Sequence, residues 1–189
     1  SLGTALNKFK QIIFSGAGDF DIQPTLYTTT INLNVPAIKL HDVNSNIVYS
    51  TNTIYNASGN ITGDVDFAGY AGVLNLANNK IITGKVDSSG GSNGILNFAG
   101  ASTITGAIGD SNPLTAINFN GAGNVDLQST SKATTFTVGD AGANVTASDK
   151  ATGDIKYTAG GTFNANEDVT GDIDFANNGG TFNLGAGKK

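Results

Sequence analysis

No cysteine, methionine, tryptophan or arginine occurs in the 189 residues, and there is a single histidine, a single glutamate and three prolines. Without cysteine there are no disulfides, no thiolate nucleophile and no thiolate zinc site, and one imidazole, His41, cannot form a histidine cluster for a metal. All ten basic residues are lysines, and against fifteen acids they leave a net charge of -5. That balance provides no basic surface for a phosphate backbone, so no nucleic-acid partner is expected. Charged residues make up only 13% of the chain. No apolar run approaches the ~18 residues of a membrane span, so no membrane insertion by this stretch is expected. Lys8 and Lys10 interrupt the apolar residues of the first dozen positions, unlike the core of a signal peptide. The chain starts without Met and stops at Lys188-Lys189, and it reads as a fragment of a longer protein.

What the chain has in quantity is glycine, 26 residues of it, together with much Asn and Thr. This composition suits short strands and tight turns far better than helices. The strongest signal is self-similarity. ITGDVDFAGYAGVLNLANNK from Ile61 is followed by ITGKVDSSGGSNGILNFAGAST from Ile82 and ITGAIGDSNPLTAINFNGAGN from Ile104. Each unit opens on Ile-Thr-Gly and closes on an apolar-Asn-apolar triplet, and Gly63, Gly84 and Gly106 stand 21 and 22 residues apart. The marker is lost after Gly123 and returns at Gly153 and Gly171.

Inside the units apolar residues alternate with polar ones, as in Val65/Phe67, Leu74/Leu76, Leu96/Phe98 and Ile117/Phe119. Period two means strands with one buried face, and a two-strand unit can bury that face only against its neighbours. A repeat of 20 to 50 residues is the mark of a solenoid. The expected fold is therefore all-β, a parallel β-helix of about 20–22 residues per coil. It is right-handed by the general rule for parallel connections. Arrays of up-and-down hairpins are the competing geometry. The triplet asparagines face outward if Leu74 and Leu76 face inward; the alternative places them inside as a hydrogen-bonded ladder. Leu2, Leu6, Phe9 and Ile13 recur at helical spacing behind Ser1 and Thr4, which predicts a short N-terminal capping helix, although a strand through Ile12-Ile13-Phe14 explains the same residues. Two regions are expected: irregular coils or a cap over residues 1–60, and the repeat β-helix over 61–189. The first contains a Gly-free segment, 23–58, with Tyr27, His41, Tyr49 and Tyr55.

Three Asp-x-Asp pairs, Asp19/Asp21, Asp64/Asp66 and Asp172/Asp174, place two carboxylates on one face of a strand, a pattern that suits Ca²⁺ or a glycosidase couple. A solvated outer face that discourages sheet pairing is the favoured explanation, and the Gly-Gly-x-Gly-x-Asp nonapeptide of calcium β-rolls is absent. Thr-x-Thr pairs do not recur at one register. No catalytic residue, metal ligand or cofactor is assigned. Exposed tyrosine supplies rigid amphipathic contact area, so Tyr27, His41, Tyr49 and Tyr55 are the candidate binding residues.

The recurring Thr-Gly-Asp-Ile/Val-Asp-Phe, the Gly-x-Leu/Phe-Asn-Leu/Phe triplet and the following Lys-Ile-Ile-Thr-Gly resemble the passenger region of rickettsial surface-antigen autotransporters of the outer-membrane protein A and B type. The likeness covers residues 61–189 well and 1–60 poorly. It implies an extracellular, non-catalytic passenger at the bacterial surface, exported through a membrane barrel elsewhere in the parent chain and adhering to a host-cell surface protein. A carbohydrate-active β-helix using the Asp pairs and a purely structural coat protein are the alternatives.

Overall fold

A computed structural model describes residues 1–189. Its strands are β1 (Phe9–Ser15), β2 (Phe20–Ile22), β3 (Leu26–Asn34), β4 (Ala37–Leu40), β5 (Val43–Tyr49), β6 (Ile54–Ala57), β7 (Ile61–Thr62), β8 (Val65–Asp66), β9 (Val73–Leu76), β10 (Lys80–Thr83) and β11 (Val86–Asp87). They continue with β12 (Ile95–Phe98), β13 (Ser102–Ile104), β14 (Leu114–Phe119), β15 (Gly123–Leu127), β16 (Ser131–Val138), β17 (Ala143–Ala147), β18 (Ala151–Tyr157), β19 (Thr162–Ala165), β20 (Val169–Thr170), β21 (Ile173–Asp174) and β22 (Thr181–Leu184). One sheet stacks β1-β3-β5-β7-β10-β13-β15-β17-β19-β22, with β8 and β11 alongside, and the other stacks β2-β4-β6-β9-β12-β14-β16-β18-β20, with β21 also on β18. Every pairing is parallel between successive laps, as in β12 on β9 and β14 on β12. The hairpin alternative is thereby excluded, and the fold is a parallel β-helix.

The alternation read from the sequence becomes a set of columns. On the first face Leu2, Leu26, Val43, Ile61, Ile82, Ile104, Leu127, Ala147, Ala165 and Leu184 stack directly. Nine steps of ~4.8 Å make this column about 43 Å long. On the opposite sheet Phe20, Ile38, Tyr55, Leu74, Leu96, Ile117, Phe136, Ile155 and Ile173 form another. Within it, Leu74, Leu96 and Ile117 are wholly buried. Aromatic rings stack beside them, with Phe98 and Phe119 centroids 5.4 Å apart. Lap length is elastic. The first-face column advances 17 residues from Leu26 to Val43 and 23 from Ile104 to Leu127, the difference being taken up in corners. Residues 23–58 contribute β3 to β6 to the same two sheets.

Two sequence markers acquire physical causes. At Gly84 φ is +155°, and a Cβ there would overlap the Gly63 carbonyl oxygen one lap below. The Thr-Gly marker recurs because backbone lies on backbone at this corner. The triplet asparagines point outward while the flanking apolar residues fill the core, and they also form the ladder assigned in the alternative reading to the interior. Asn75 donates Nδ2–H to Asn56 Oδ1 at 2.9 Å, Asn97 to Asn75 at 2.8 Å and Asn118 to Asn97 at 2.8 Å. A second outward ladder joins Asn124, Asn144, Asn164 and Asn183.

The N-terminal capping helix is not formed. Leu2 makes a parallel bridge with Leu26, and Phe9–Ser15 pairs with β3 as β1. The edge of β3 offers unpaired N–H and C=O groups that a strand satisfies and a helix leaves open, and the β-branched Ile12-Ile13 pair favours extended backbone. Of the ten exposed large apolar side chains, Leu2, Leu6, Phe9 and Ile13 lie in or before β1 and Ile173, Phe175 and Leu184 in the last lap. Leu2, Leu184 and Ile173 are end members of the two columns, whose members between Leu26 and Ala165 and between Ile38 and Ile155 are buried.

Candidate functional site

The four tyrosine and histidine candidates separate by strand parity. Tyr49 and Tyr55 are corrected as contact residues: they stand at inward positions of β5 and β6 and are 1% and 0% exposed. Tyr49 donates its hydroxyl to the Val73 carbonyl at 3.0 Å and packs its ring 4.7 Å from that of Phe67. Burial raises both phenolic pKa values, strongly for Tyr49, whose hydroxyl also lies near that of Tyr55. Tyr55 has no partner for its hydroxyl. His41 is half-buried at the corner after β4, and its Nε2 is enclosed and unpartnered. The Tyr49 and Tyr55 hydroxyls and His41 Nε2 are thus all withdrawn from the surface.

Tyr27 differs. It lies one residue after Leu26 and faces outward, half-buried, on the first face. Its neighbours in register are Asn44 on the next lap and Thr62 on the lap after that. Together with Thr25, Asp42, Val43 and Asn60 these residues line a groove of about 240 Å³. Inter-lap hydrogen bonds fix its walls. Asp42 Oδ1 accepts the Asn60 N–H at 2.8 Å, Asn60 Oδ1 accepts the Ile81 N–H at 3.0 Å, and Asn44 Oδ1 accepts the Lys8 ammonium at 2.6 Å. Sequence reasoning missed Asp42, Asn44, Asn60 and Thr62. The 21-residue period seen after Ile61 sets Tyr27 beside Val48, whereas the shorter laps here set it beside Asn44.

The Asp-x-Asp pairs are largely used within the wall. Asp64 Oδ1 accepts the Lys85 N–H at 2.8 Å, and Asp66 accepts the backbone N–H groups of Ala68 and Ser89 and the Ser89 hydroxyl. Asp174 accepts the Ala176 N–H at 2.7 Å, and Asp21 receives Gln23 and Lys39. These carboxylates cap corners and join laps, a structural use that explains their recurrence. The Thr-x-Thr pairs likewise form no flat array, because Thr28 and Thr53 are buried and donate to the Phe9 and Val35 carbonyls. No group of three or more metal-ligating side chains is assembled.

With this geometry established, comparison with known proteins gives a consistent picture. Outer membrane protein A of Rickettsia conorii is 38% identical over 90 residues, and that of Rickettsia rickettsii 36% identical over 90 residues. The chain is related to a rickettsial surface antigen. The match covers 46% of this chain and 4% of each relative, so the chain spans a small fraction of the length of those proteins. No protein-family model matches the chain, and no solved structure matches it. A relative named as an outer membrane protein and a repetitive β-helix together fit a surface passenger.

Proposed function

We propose that the chain is a stretch of the extracellular passenger of a bacterial autotransporter, a non-catalytic stalk that also adheres to a host-cell surface protein. The observation that carries this reading is the uninterrupted parallel stack, in which the repeat residues join laps through side-chain and backbone ladders. Stiffness follows, since bending the rod must open columns of buried Leu, Ile and Phe together with their hydrogen bonds. The relation to outer membrane protein A supports a location at the bacterial outer surface, with the membrane barrel elsewhere in the parent chain.

Beads coated with the 189-residue chain test the adhesive part. Saturable binding to cultured mammalian cells that is abolished by trypsin treatment of the cells supports a protein receptor. Absence of binding rejects adhesion by this stretch and leaves the coat-protein reading. A carbohydrate-active enzyme is the less favoured reading, because most of the Asp-pair carboxylates are held in structural hydrogen bonds. Release of reducing ends from a polysaccharide panel would revive it.

A further inference from the structure

In the groove on the first face three planar polar side chains, each fixed through one atom and free at the other, line one cavity with an aromatic ring. Asp42 is held through Oδ1, leaving Oδ2 as an acceptor; Asn60 and Asn44 are held through Oδ1, leaving two Nδ2–H₂ donors. The hydroxyls of Thr25 and Thr62 make no hydrogen bond within the chain, and the half-buried ring of Tyr27 lies in the same lining. The side chains rise in pairs on three successive laps, Thr25/Tyr27, Asp42/Asn44 and Asn60/Thr62, at a spacing of ~4.8 Å. On the next two laps the same columns carry Ile81, Thr83, Thr103 and Thr105, and the carboxylate that follows, Asp126, is engaged at both oxygens by Gln128 at 2.7 Å and Ser148 at 3.4 Å.

Such an array selects its ligand. Preformed acceptors and donors at fixed separations beside an aromatic ring match a molecule with several hydroxyls along one edge and C–H groups on a face. The Asp42 carboxylate is balanced by the Lys8 ammonium on Asn44, so the groove carries no net charge that would select an anion. An extended peptide gains affinity chiefly by pairing with a free strand edge, and here β3, β5 and β7 already pair with one another. We propose that this groove binds a pyranose unit of a saccharide, its hydroxyls engaging Asp42 Oδ2 and the Asn44 and Asn60 amides and its C–H face lying on Tyr27. Affinity comes from walls immobilised before the ligand arrives. The assignment goes beyond the adhesive reading and does not require it.

The test is saturation-transfer NMR on the 189-residue chain with glucose, galactose, mannose and N-acetylglucosamine as separate probes. Transfer to ring protons of at least one probe is expected, with Kd near the millimolar range for so shallow a site. Tyr27→Ala and Asp42→Asn should each weaken binding at least tenfold, with circular dichroism unchanged. Asp42→Asn keeps the Oδ1 acceptor that holds the Asn60 N–H, so the wall persists while the free acceptor becomes a donor. Tyr70→Ala, a change at an exposed tyrosine outside the groove, should leave binding unaltered. Absence of transfer from all four probes overturns the assignment, as does transfer that survives either groove variant.

Discussion

Replacing Gly63 by alanine probes the stacked backbone directly. At this residue φ is +143°, and an added Cβ would overlap the Ser45 carbonyl oxygen of the lap beneath. An L-residue pays about 1–2 kcal/mol for left-handed backbone. Relieving the overlap must lift the corner, and two inter-lap bonds there lengthen: Asp64 N–H to Asn46 Oδ1 at 2.9 Å and Ile47 N–H to the Asp64 carbonyl at 2.8 Å. At ~1 kcal/mol for each bond, the expected loss is roughly 3–4 kcal/mol. Gly18 is the control, because its φ is not positive and nothing lies within 4 Å of the site where a Cβ would stand. Alanine there should be neutral or stabilise by about 0.4–1 kcal/mol through the unfolded chain. Urea unfolding followed by circular dichroism measures both. The midpoint should fall for Gly63→Ala and hold or rise for Gly18→Ala. Equal midpoints for Gly63→Ala and the parent would show that the corner tolerates a side chain, and the account of the Thr-Gly marker would be wrong.

Other outcomes follow from particular hydrogen bonds. Tyr55→Phe removes an enclosed hydroxyl without a partner and should be neutral or stabilise, whereas Tyr49→Phe removes a bond to the Val73 carbonyl and should cost about 1 kcal/mol, so unfolding midpoints of opposite or unequal sign are expected. Asn97→Ala breaks the ladder toward both Asn75 and Asn118 and should cost about 1–2 kcal/mol in the same assay, while a surface change such as Ser92→Ala should not register. Burial pushes Tyr157 up to about 12 and raises Tyr49 and Tyr55 as well. The folded chain therefore holds these protons longer than the unfolded one, so this stability is complete below about pH 10 and is lost as pH rises above it. Tyrosinate absorbance from the three should emerge together with loss of the β signal. Lys85 hydrogen-bonds Asp110 and lowers its carboxyl pKa, so that any contribution is present above the carboxylate range and lost as pH falls below it; Asp110→Asn should flatten the acid limb of a stability profile.

How much could be read beforehand depends on which interactions are local. Alternation in Leu74/Leu76, Leu96/Phe98 and Ile117/Phe119 named the inward residues, because strand parity is a property of adjacent positions. Three Thr-Gly units at steps of 21 and 22 named the lap, because identical corners must meet identical corners. At the N-terminus the helical spacing of Leu2, Leu6, Phe9 and Ile13 competes with a strand through Ile12-Ile13-Phe14, and the partner strand β3, not residue preference, decides for the strand. Parity was within reach for Tyr49 and Tyr55 too, but the tyrosines were grouped by their chemistry and not by their place in a strand.

By itself, the order of residues determined that the chain forms short strands, that they repeat, and that their greasy side must be shared between units. It also determined what chemistry is absent, since side-chain types need no fold to be counted. Only the tertiary structure decided the register. Laps of 17 and 18 residues near the start bring Asp42 beside Asn60 and Tyr27 beside Asn44, and those distances are set by how much chain each corner consumes. A groove wall built across three laps is a relation between residues far apart in sequence, and no local pattern records it.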